Sequence, residues 1–447
     1  MKNWSAGYEM LRMYVRFAFW LTHQRIIVTG RQWIPKGKPI IFAANHQNAL
    51  MDPLALACTN PYQSVWLARA DIFKSKTASS ILKYLKLLPV YRIRDGKENL
   101  SNNEHIFEQV IHLLENRKTI ALFPEAAHSG KRKMLPHKKA VPRIALEAEE
   151  KNDFRLDIRI VPVGIYYSHY WHFNRALIVQ YGKPIEVEKY RDEYAESPQK
   201  AMTSLRDEIY NRICPLTLQI NSEKYYQEYE NIGQLAGNAY SKIRFFNRDS
   251  RLQLFYAEKE LIFKVEQIEN NQPESFEKLI KETTEYFDAL KKAGLSDDQV
   301  RKAGEARFSL LLIQLLAAFL SLPLFVFGFA FNALPLFVPR MILRSKVKDI
   351  TFLSTFNFVA GLIVFPLFYL ITASLLLVVT RSLTISFISF MLMPFAGKYA
   401  YQLLVFYRDI FQEFAFFAAG KSRRKQIKQM VSLRNKQINS ILEKLNF

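Results

Sequence analysis

The sequence predicts an α/β fold, a mixed sheet flanked by helices, followed by a helical connector and C-terminal transmembrane or re-entrant helices. Three observations carry this expectation. From Ile26 to about Tyr181, short β-branched runs alternate with longer amphipathic ones, the pattern of strand and helix units packed in layers. After Cys214-Pro215 that pattern stops, and Glu223 to about Leu295 is charged, Tyr-rich and helical in period. Beyond Phe308 lie uncharged apolar runs long enough to cross a bilayer, which takes roughly 18 residues or more. The boundaries expected are 1–24 for an amphipathic helix, 25–215 for the α/β domain, 216–306 for the connector, 307–400 for membrane-embedded helices and 401–447 for a basic helical tail.

At the N-terminus, Tyr8 to Leu21 sets Arg12 and Arg16 among Met10, Met13, Phe17, Phe19 and Trp20. This reads as an amphipathic helix. It lies in the membrane interface with its arginines reaching toward phosphates, or it packs on the domain's own surface. Arg16 interrupts the apolar run and no small-residue cleavage pattern follows, which argues against a removable signal peptide. Strand candidates are Pro39 to Ala44, Ser64 to Ala70, Val90 to Arg94, Thr119 to Phe123, Ile158 to Ile165 and Ala176 to Tyr181. Helices fit between them at Asp52 to Thr59, Ala78 to Lys86, Asn102 to Glu115 and Lys138 to Glu150. In the connector, Leu295-Ser296-Asp297-Asp298 supplies a helix-start signal.

The apolar runs extend from Phe308 to Pro339, from Ile350 to Thr380 and from Ser382 to Gly397. Pro323 and Pro366 fall near the middles of the first two, so each is expected to be one kinked, tilted span or a short returning hairpin. Basic residues stand at both ends of the first run: Arg301, Lys302 and Arg307 before it, Arg340, Arg344, Lys346 and Lys348 after it. Charge therefore gives no clear positive-inside asymmetry. Lys421, Arg423, Arg424, Lys425 and Lys428 follow the aromatic segment Phe414 to Phe417 and suit an anionic leaflet or a solvated helix face.

With 447 residues and 49% apolar content the chain has enough material for a packed core and further buried surface. A formal charge of +21 and a pI near 9.7 favour an acidic partner. Nucleic acid is disfavoured, because no zinc finger or RNA-binding aromatic motif is present and the basic residues flank the apolar runs. A membrane surface accounts for both features. Cys58 and Cys214 are too few for a disulfide framework or a clustered zinc site.

Chemistry is expected at Asn45-His46-Gln47-Asn48-Ala49-Leu50-Met51-Asp52, directly after the buried strand candidate. The strand would deliver His46 to its exposed end, with Asp52 at the start of a helix. An imidazole held by a carboxylate is a general base able to take a proton from an alcohol near neutral pH. Glu125 and His128 have the Glu-x-x-His spacing of di-iron carboxylate bundles, but that design needs a second such pair on helices. None is found, and Glu125 follows a strand candidate. No metal or cofactor is therefore expected.

Four segments in order, Asn45 to Pro53, Pro89-Val90-Tyr91-Arg92, Phe123-Pro124-Glu125 and Val161-Pro162-Val163-Gly164, resemble the glycerolipid acyltransferase family over roughly residues 25 to 215. That family esterifies glycerol phosphates and their mono-acylated forms. Its first motif is His, four residues, Asp; here five intervene, as in a membrane-bound branch of glycerol-3-phosphate acyltransferases. In the second motif Lys86, Leu87 and Leu88 fill the stretch where the family has a glycine. The third motif is Phe-Pro-Glu-Gly with a following hydroxyl residue, and here Ala126, Ala127 and His128 precede Ser129.

The resemblance implies His46 and Asp52 as the catalytic pair, and Arg92, with Arg94 as a substitute, holding the substrate phosphate. It further implies that Glu125 and Ser129 lie on the substrate side, Glu125 binding glycerol hydroxyls or ordering its loop. The co-substrate would be an acyl thioester of coenzyme A or of a carrier protein. The acceptor would be glycerol 3-phosphate or 1-acylglycerol 3-phosphate, and an aminolipid is the alternative. The other partners are membrane lipids, and the catalytic domain of this integral membrane protein is expected on the cytoplasmic side. The changes after Glu125 leave a non-catalytic membrane scaffold as a rival reading.

Overall fold

A computed structural model describes residues 4–91, 102–171, 173–245, 250–347 and 349–445. The chain forms two compact units, Met1–Leu218 with Arg344–Phe358, and Gln219–Leu343 with Val359–Phe447.

The first unit begins with α1 (Ala6–Thr22), β1 (His23–Thr29), β2 (Ile40–Ala44), α2 (Met51–Thr59), β3 (Val65–Arg69), α3 (Lys76–Tyr84) and β4 (Leu87–Val90). It continues through α4 (Asn102–Glu115), β5 (Thr119–Leu122), α5 (Ala140–Glu150), β6 (Arg159–Tyr167), β7 (Arg175–Tyr181), β8 (Ile185–Glu186), α6 (Arg191–Glu196) and α7 (Pro198–Ile213). The strands make one sheet in the order β1-β7-β6-β2-β5-β3-β4, with β8 on β6. The pairs β6–β7 and β6–β8 are antiparallel and the others parallel, so the sheet is mixed. Five of the expected strands lie within two residues of their predicted ends.

Three strands depart from expectation: β4, β1 and the two-residue β8, which was not among the candidates. The strand expected over Val90 to Arg94 instead covers Leu87–Val90, paired with Trp66–Arg69. Ser75 caps α3 early, and Lys86 at φ +63 ends its last turn, so the chain is extended three residues sooner. The edge strand β1 was not anticipated, because only Ile26, Ile27 and Val28 carry a strand signal there. It forms by pairing in parallel with β7.

One face of the sheet buries Ile41, Ala43, Ile120, Leu122 and Ile160 against Val110 and Leu114 of α4, Ile144 and Ala145 of α5, and Leu205 and Ile209 of α7. Full burial of each large aliphatic side chain stabilises by about 1.5–3 kcal/mol. On α1, Tyr8 and Phe19 are buried, and the Arg12 guanidinium donates to the carbonyls of Asn60 (3.2 Å) and Tyr62 (2.9 Å) and pairs with Glu9 at 2.7 Å. Arg12 therefore does not reach out to phosphates: it satisfies carbonyls of its own domain. Met10, Met13, Phe17 and Trp20 remain exposed.

The second unit is helical: α8 (Tyr226–Arg244), α9 (Arg251–Asn271), α10 (Pro273–Ala293), α11 (Asp297–Glu305), α12 (Phe308–Ala330), α13 (Ala333–Lys346), α14 (Leu353–Thr380), α15 (Leu383–Ala418) and α16 (Lys421–Lys444), with the ends of α13 and α14 shared with the first unit. Ser296 starts α11 with a reciprocal capping box. Three helices, Phe308–Ala330, Ile350–Thr380 and Leu383–Ala418, are long and apolar enough to cross a membrane. Helices α12 and α14 run unbroken through Pro323 and Pro366; the first apolar run breaks instead at Phe331 and Asn332. A Cβ on Gly328 would lie 2.4 Å from the Ala396 carbonyl oxygen, so a glycine there lets α12 and α15 approach closely. The Asn332 amide bridges them, donating to Gly328 (2.9 Å) and Met393 (3.1 Å).

Candidate active site

The buried strand β2 ends at Ala44, and the Asn45 side chain continues its pairing to β6. Its amide donates to the Ile165 carbonyl (3.0 Å), and its oxygen accepts from the Ile165 N–H (2.7 Å). This fixes the direction in which the chain leaves the sheet and places His46 next, its side chain 17% exposed. Asp52, buried in the first turn of α2, accepts three hydrogen bonds on Oδ2: His46 Nδ1 at 2.9 Å, Gln47 N–H at 2.7 Å and Asn48 N–H at 2.7 Å. A carboxylate acceptor puts the proton on His46 Nδ1 and leaves a lone pair on Nε2.

Four of the backbone N–H groups near the start of α2 are already engaged. Those of Gln47 and Asn48 bond Asp52, that of Leu50 bonds Thr355 Oγ1 (3.2 Å), and that of Met51 bonds the Asn48 carbonyl (2.9 Å). Behind the pair, burial and the Asp52 charge push the Tyr167 phenol well above its ordinary pKa, and the buried Arg175 guanidinium lies 4.6 Å from the Tyr167 ring centre.

Strand β5 delivers Phe123, whose ring stacks on His46 at 4.3 Å. Glu125 is buried, and each carboxyl oxygen takes one backbone N–H, from His46 (2.7 Å) and from Leu135 (2.8 Å). It therefore orders the two loops that meet at the site. Burial pushes this carboxyl up to about 8, against the two N–H bonds that pull it down. Ala126, standing where the family pattern has glycine, sits at φ +57, a conformation that costs an alanine about 1–2 kcal/mol. The Ser129 hydroxyl bonds the Lys131 and Lys133 carbonyls, each at 3.2 Å, inside its own loop.

His128 lies beside His46, the two ring centres 5.5 Å apart, with its Nε2 3.2 Å from Thr351 Oγ1. Phe352 meets the His128 ring edge-on at 4.8 Å. Ser354 Oγ donates to Asn48 Oδ1 (2.7 Å), and Phe358 packs on Phe19 at 5.3 Å. Sequence reasoning missed this segment, which stands some 300 positions after His46 and reads only as the start of an apolar run. Burial and the positive charge of His46 when protonated lower the His128 pKa, with a smaller contribution from Arg69.

Arg92 and Arg94 lie outside the described residues. The chain enters that stretch from Tyr91, whose N–H and carbonyl both pair with the Asn103 side chain (2.9 and 2.8 Å). Arg69, at the end of β3 and paired with Asp71, is a cation near the site that sequence reading did not single out. Its only signal was its place at a strand end. Gly164 of the fourth motif has a packing role: a Cβ there would lie 2.3 Å from the Leu216 carbonyl oxygen.

Residues 25–166 match the family model described as Acyltransferase. Over 196 residues the chain is 28% identical to glycerol-3-phosphate O-acyltransferase 2 of Saccharomyces cerevisiae, covering 43% of this chain and 26% of that protein. It is 25% identical over 160 residues to a 1-acyl-sn-glycerol-3-phosphate acyltransferase of Borreliella burgdorferi, covering 36% of this chain and 58% of that one. The crystal structure of the 1-acyl-sn-glycerophosphate acyltransferase PlsC from Thermotoga maritima aligns with a TM-score of 0.35 and 20% identity, over 47% of this chain and 78% of that chain. The chain thus spans 26% and 58% of the lengths of these two curated relatives. The stretch that holds the paired His46 and Asp52 and the buried Glu125, residues 25–166, is an Acyltransferase-family domain.

Proposed function

We propose that this protein is a membrane-bound acyltransferase that moves a fatty acyl group from an acyl thioester to a hydroxyl of glycerol 3-phosphate or 1-acylglycerol 3-phosphate. The observation that carries the reading is the His46–Asp52 pair at 2.9 Å, with Nε2 free of any hydrogen-bond partner among the described residues and the His46 backbone held by Glu125 at 2.7 Å.

In this mechanism His46 Nε2 takes the acceptor hydroxyl proton as the oxygen attacks the thioester carbonyl carbon. Asp52 steadies the imidazolium through Nδ1. The tetrahedral intermediate collapses, the carbon–sulfur bond breaks, and the imidazolium returns the proton to the departing thiolate. The acceptor's own hydroxyl is the nucleophile, so no acyl-enzyme forms. The phosphate is held by a guanidinium fork, for which Arg92 is the first assignment and Arg94 the substitute; Arg69, Lys131, Arg132 and Lys133 add positive potential. The product keeps a long acyl chain, each buried methylene of which stabilises membrane residence by about 0.8 kcal/mol. Three apolar helices suit an enzyme working at that surface, with its catalytic domain on the cytoplasmic side where thioester donors are made.

The test offers purified protein each acceptor with a labelled acyl thioester and identifies the lipid formed, with His46→Ala as control. Equal, background-level transfer by both proteins rejects the enzyme and leaves the non-catalytic scaffold.

A further inference from the structure

The two imidazoles of the site have complementary proton inventories. His46 Nδ1–H is committed to Asp52, so Nε2 is a bare acceptor. For His128 the inventory follows from Thr351. The single Thr351 hydroxyl proton goes to Asp349 Oδ1 at 2.6 Å, and the Thr351 N–H donates to the same oxygen at 2.9 Å. Those two donors hold the Asp349 carboxyl below its usual range, so it takes protons and gives none. Thr351 Oγ1 therefore turns a lone pair to His128 and must receive Nε2–H at 3.2 Å. With its proton placed on Nε2, a neutral His128 carries its lone pair on Nδ1, which has no hydrogen-bond partner among the described residues. Desolvation keeps the ring neutral.

The site thus presents two acceptor nitrogens without a partner among the described residues, on rings whose centres are 5.5 Å apart, clamped by Phe123 on His46 and by Phe352 on His128. Glycerol 3-phosphate offers two adjacent hydroxyl donors. Its mono-acylated form offers one.

We propose that His128 is a specificity-determining residue whose Nδ1 accepts a hydrogen bond from the acceptor's second hydroxyl, so that the site prefers a vicinal-diol phosphate over acceptors with a single hydroxyl. This rests on the acyltransferase reading. Asp349 and Thr351, at the start of the second apolar run, are positioning residues, since they set which nitrogen of His128 carries the proton.

The experiment measures kcat/KM of the full-length protein for glycerol 3-phosphate and for 3-hydroxypropyl phosphate, which lacks the second hydroxyl. His128→Phe keeps a ring against Phe352 and removes the acceptor; the ratio of the two kcat/KM values should fall about tenfold, the worth of one such hydrogen bond. Thr351→Val should lower the ratio less, and His128→Asn, which restores an acceptor oxygen, should recover part of it. If His128→Phe lowers both values equally, or neither, the inference is overturned while the acyltransferase reading stands. Absence of transfer by the unmodified protein to either acceptor and to 1-acylglycerol 3-phosphate overturns both.

Discussion

Replacing Asp52 by asparagine separates the structural work of this residue from its catalytic work. Three donors converge on Oδ2: His46 Nδ1, Gln47 N–H and Asn48 N–H, all within 2.9 Å. Asparagine can place a neutral oxygen there. Each bond then drops from the charged range, about 1.5–3 kcal/mol, toward the neutral range, about 0.5–1.5 kcal/mol, for a total loss of about 3–4.5 kcal/mol. Asp52→Ala instead leaves all three donors orphaned at about 1–3 kcal/mol each. That is comparable with the whole stability of a typical domain, about 5–15 kcal/mol. The asparagine variant should therefore fold and the alanine variant should be severely destabilised.

Catalysis depends on charge as well as shape, because a neutral amide oxygen can still accept from Nδ1–H but does not stabilise the imidazolium. Turnover in Asp52→Asn should fall by about 10²–10⁴, equivalent to roughly 3–5.5 kcal/mol of barrier. Thermal unfolding followed by circular dichroism in detergent, with initial rates of labelled acyl transfer on the same samples, reads both effects. Turnover within about threefold of the unmodified protein would refute the role given to Asp52. Equal destabilisation by asparagine and alanine would refute the hydrogen-bond account.

Glu125 should make stability fall as pH rises. Its buried carboxyl titrates near 8 in the folded protein and near 4.5 when exposed, so between those values only the folded chain holds the proton, and that advantage is lost by about pH 8. Denaturant midpoints from pH 5 to 8.5 should decline, and Glu125→Gln should flatten the decline; an unchanged slope contradicts the assignment. Gly164→Ala should destabilise by about 1–3 kcal/mol, because its Cβ meets a backbone oxygen at 2.3 Å rather than a movable side chain; unaltered unfolding would show that the strand yields freely. Arg92→Ala should raise the Michaelis constant for the phosphate acceptor more than that for the thioester, and an unchanged acceptor constant counts against a phosphate contact.

The parts of this protein legible in its sequence are those encoded by local pattern. Alternating apolar runs locate most strands of the sheet, the uncharged stretches locate the long apolar helices, and Ser296 marks the start of α11. His46 and Asp52 are six positions apart, so one strand end and one helix start suffice to bring them together. What the sequence left open depends on contacts between distant segments. Edge strand β1 exists because β7 offers it a pairing partner. The break in the first apolar run falls at Asn332, whose amide finds Gly328 and Met393, and not at a proline.

The same holds for the remainder of the site. Glu125 grips the N–H of a residue 79 positions earlier, and His128 receives its tautomer from Thr351, 223 positions later. Hydrogen bonds between loops leave no periodicity in a single sequence, so only the folded chain shows them. The sequence by itself determined an α/β acyltransferase-like domain with a histidine–carboxylate pair and long apolar helices. Tertiary structure decided which side chains surround that pair, because their protons and ring faces are assigned by neighbours that meet only when the chain has folded.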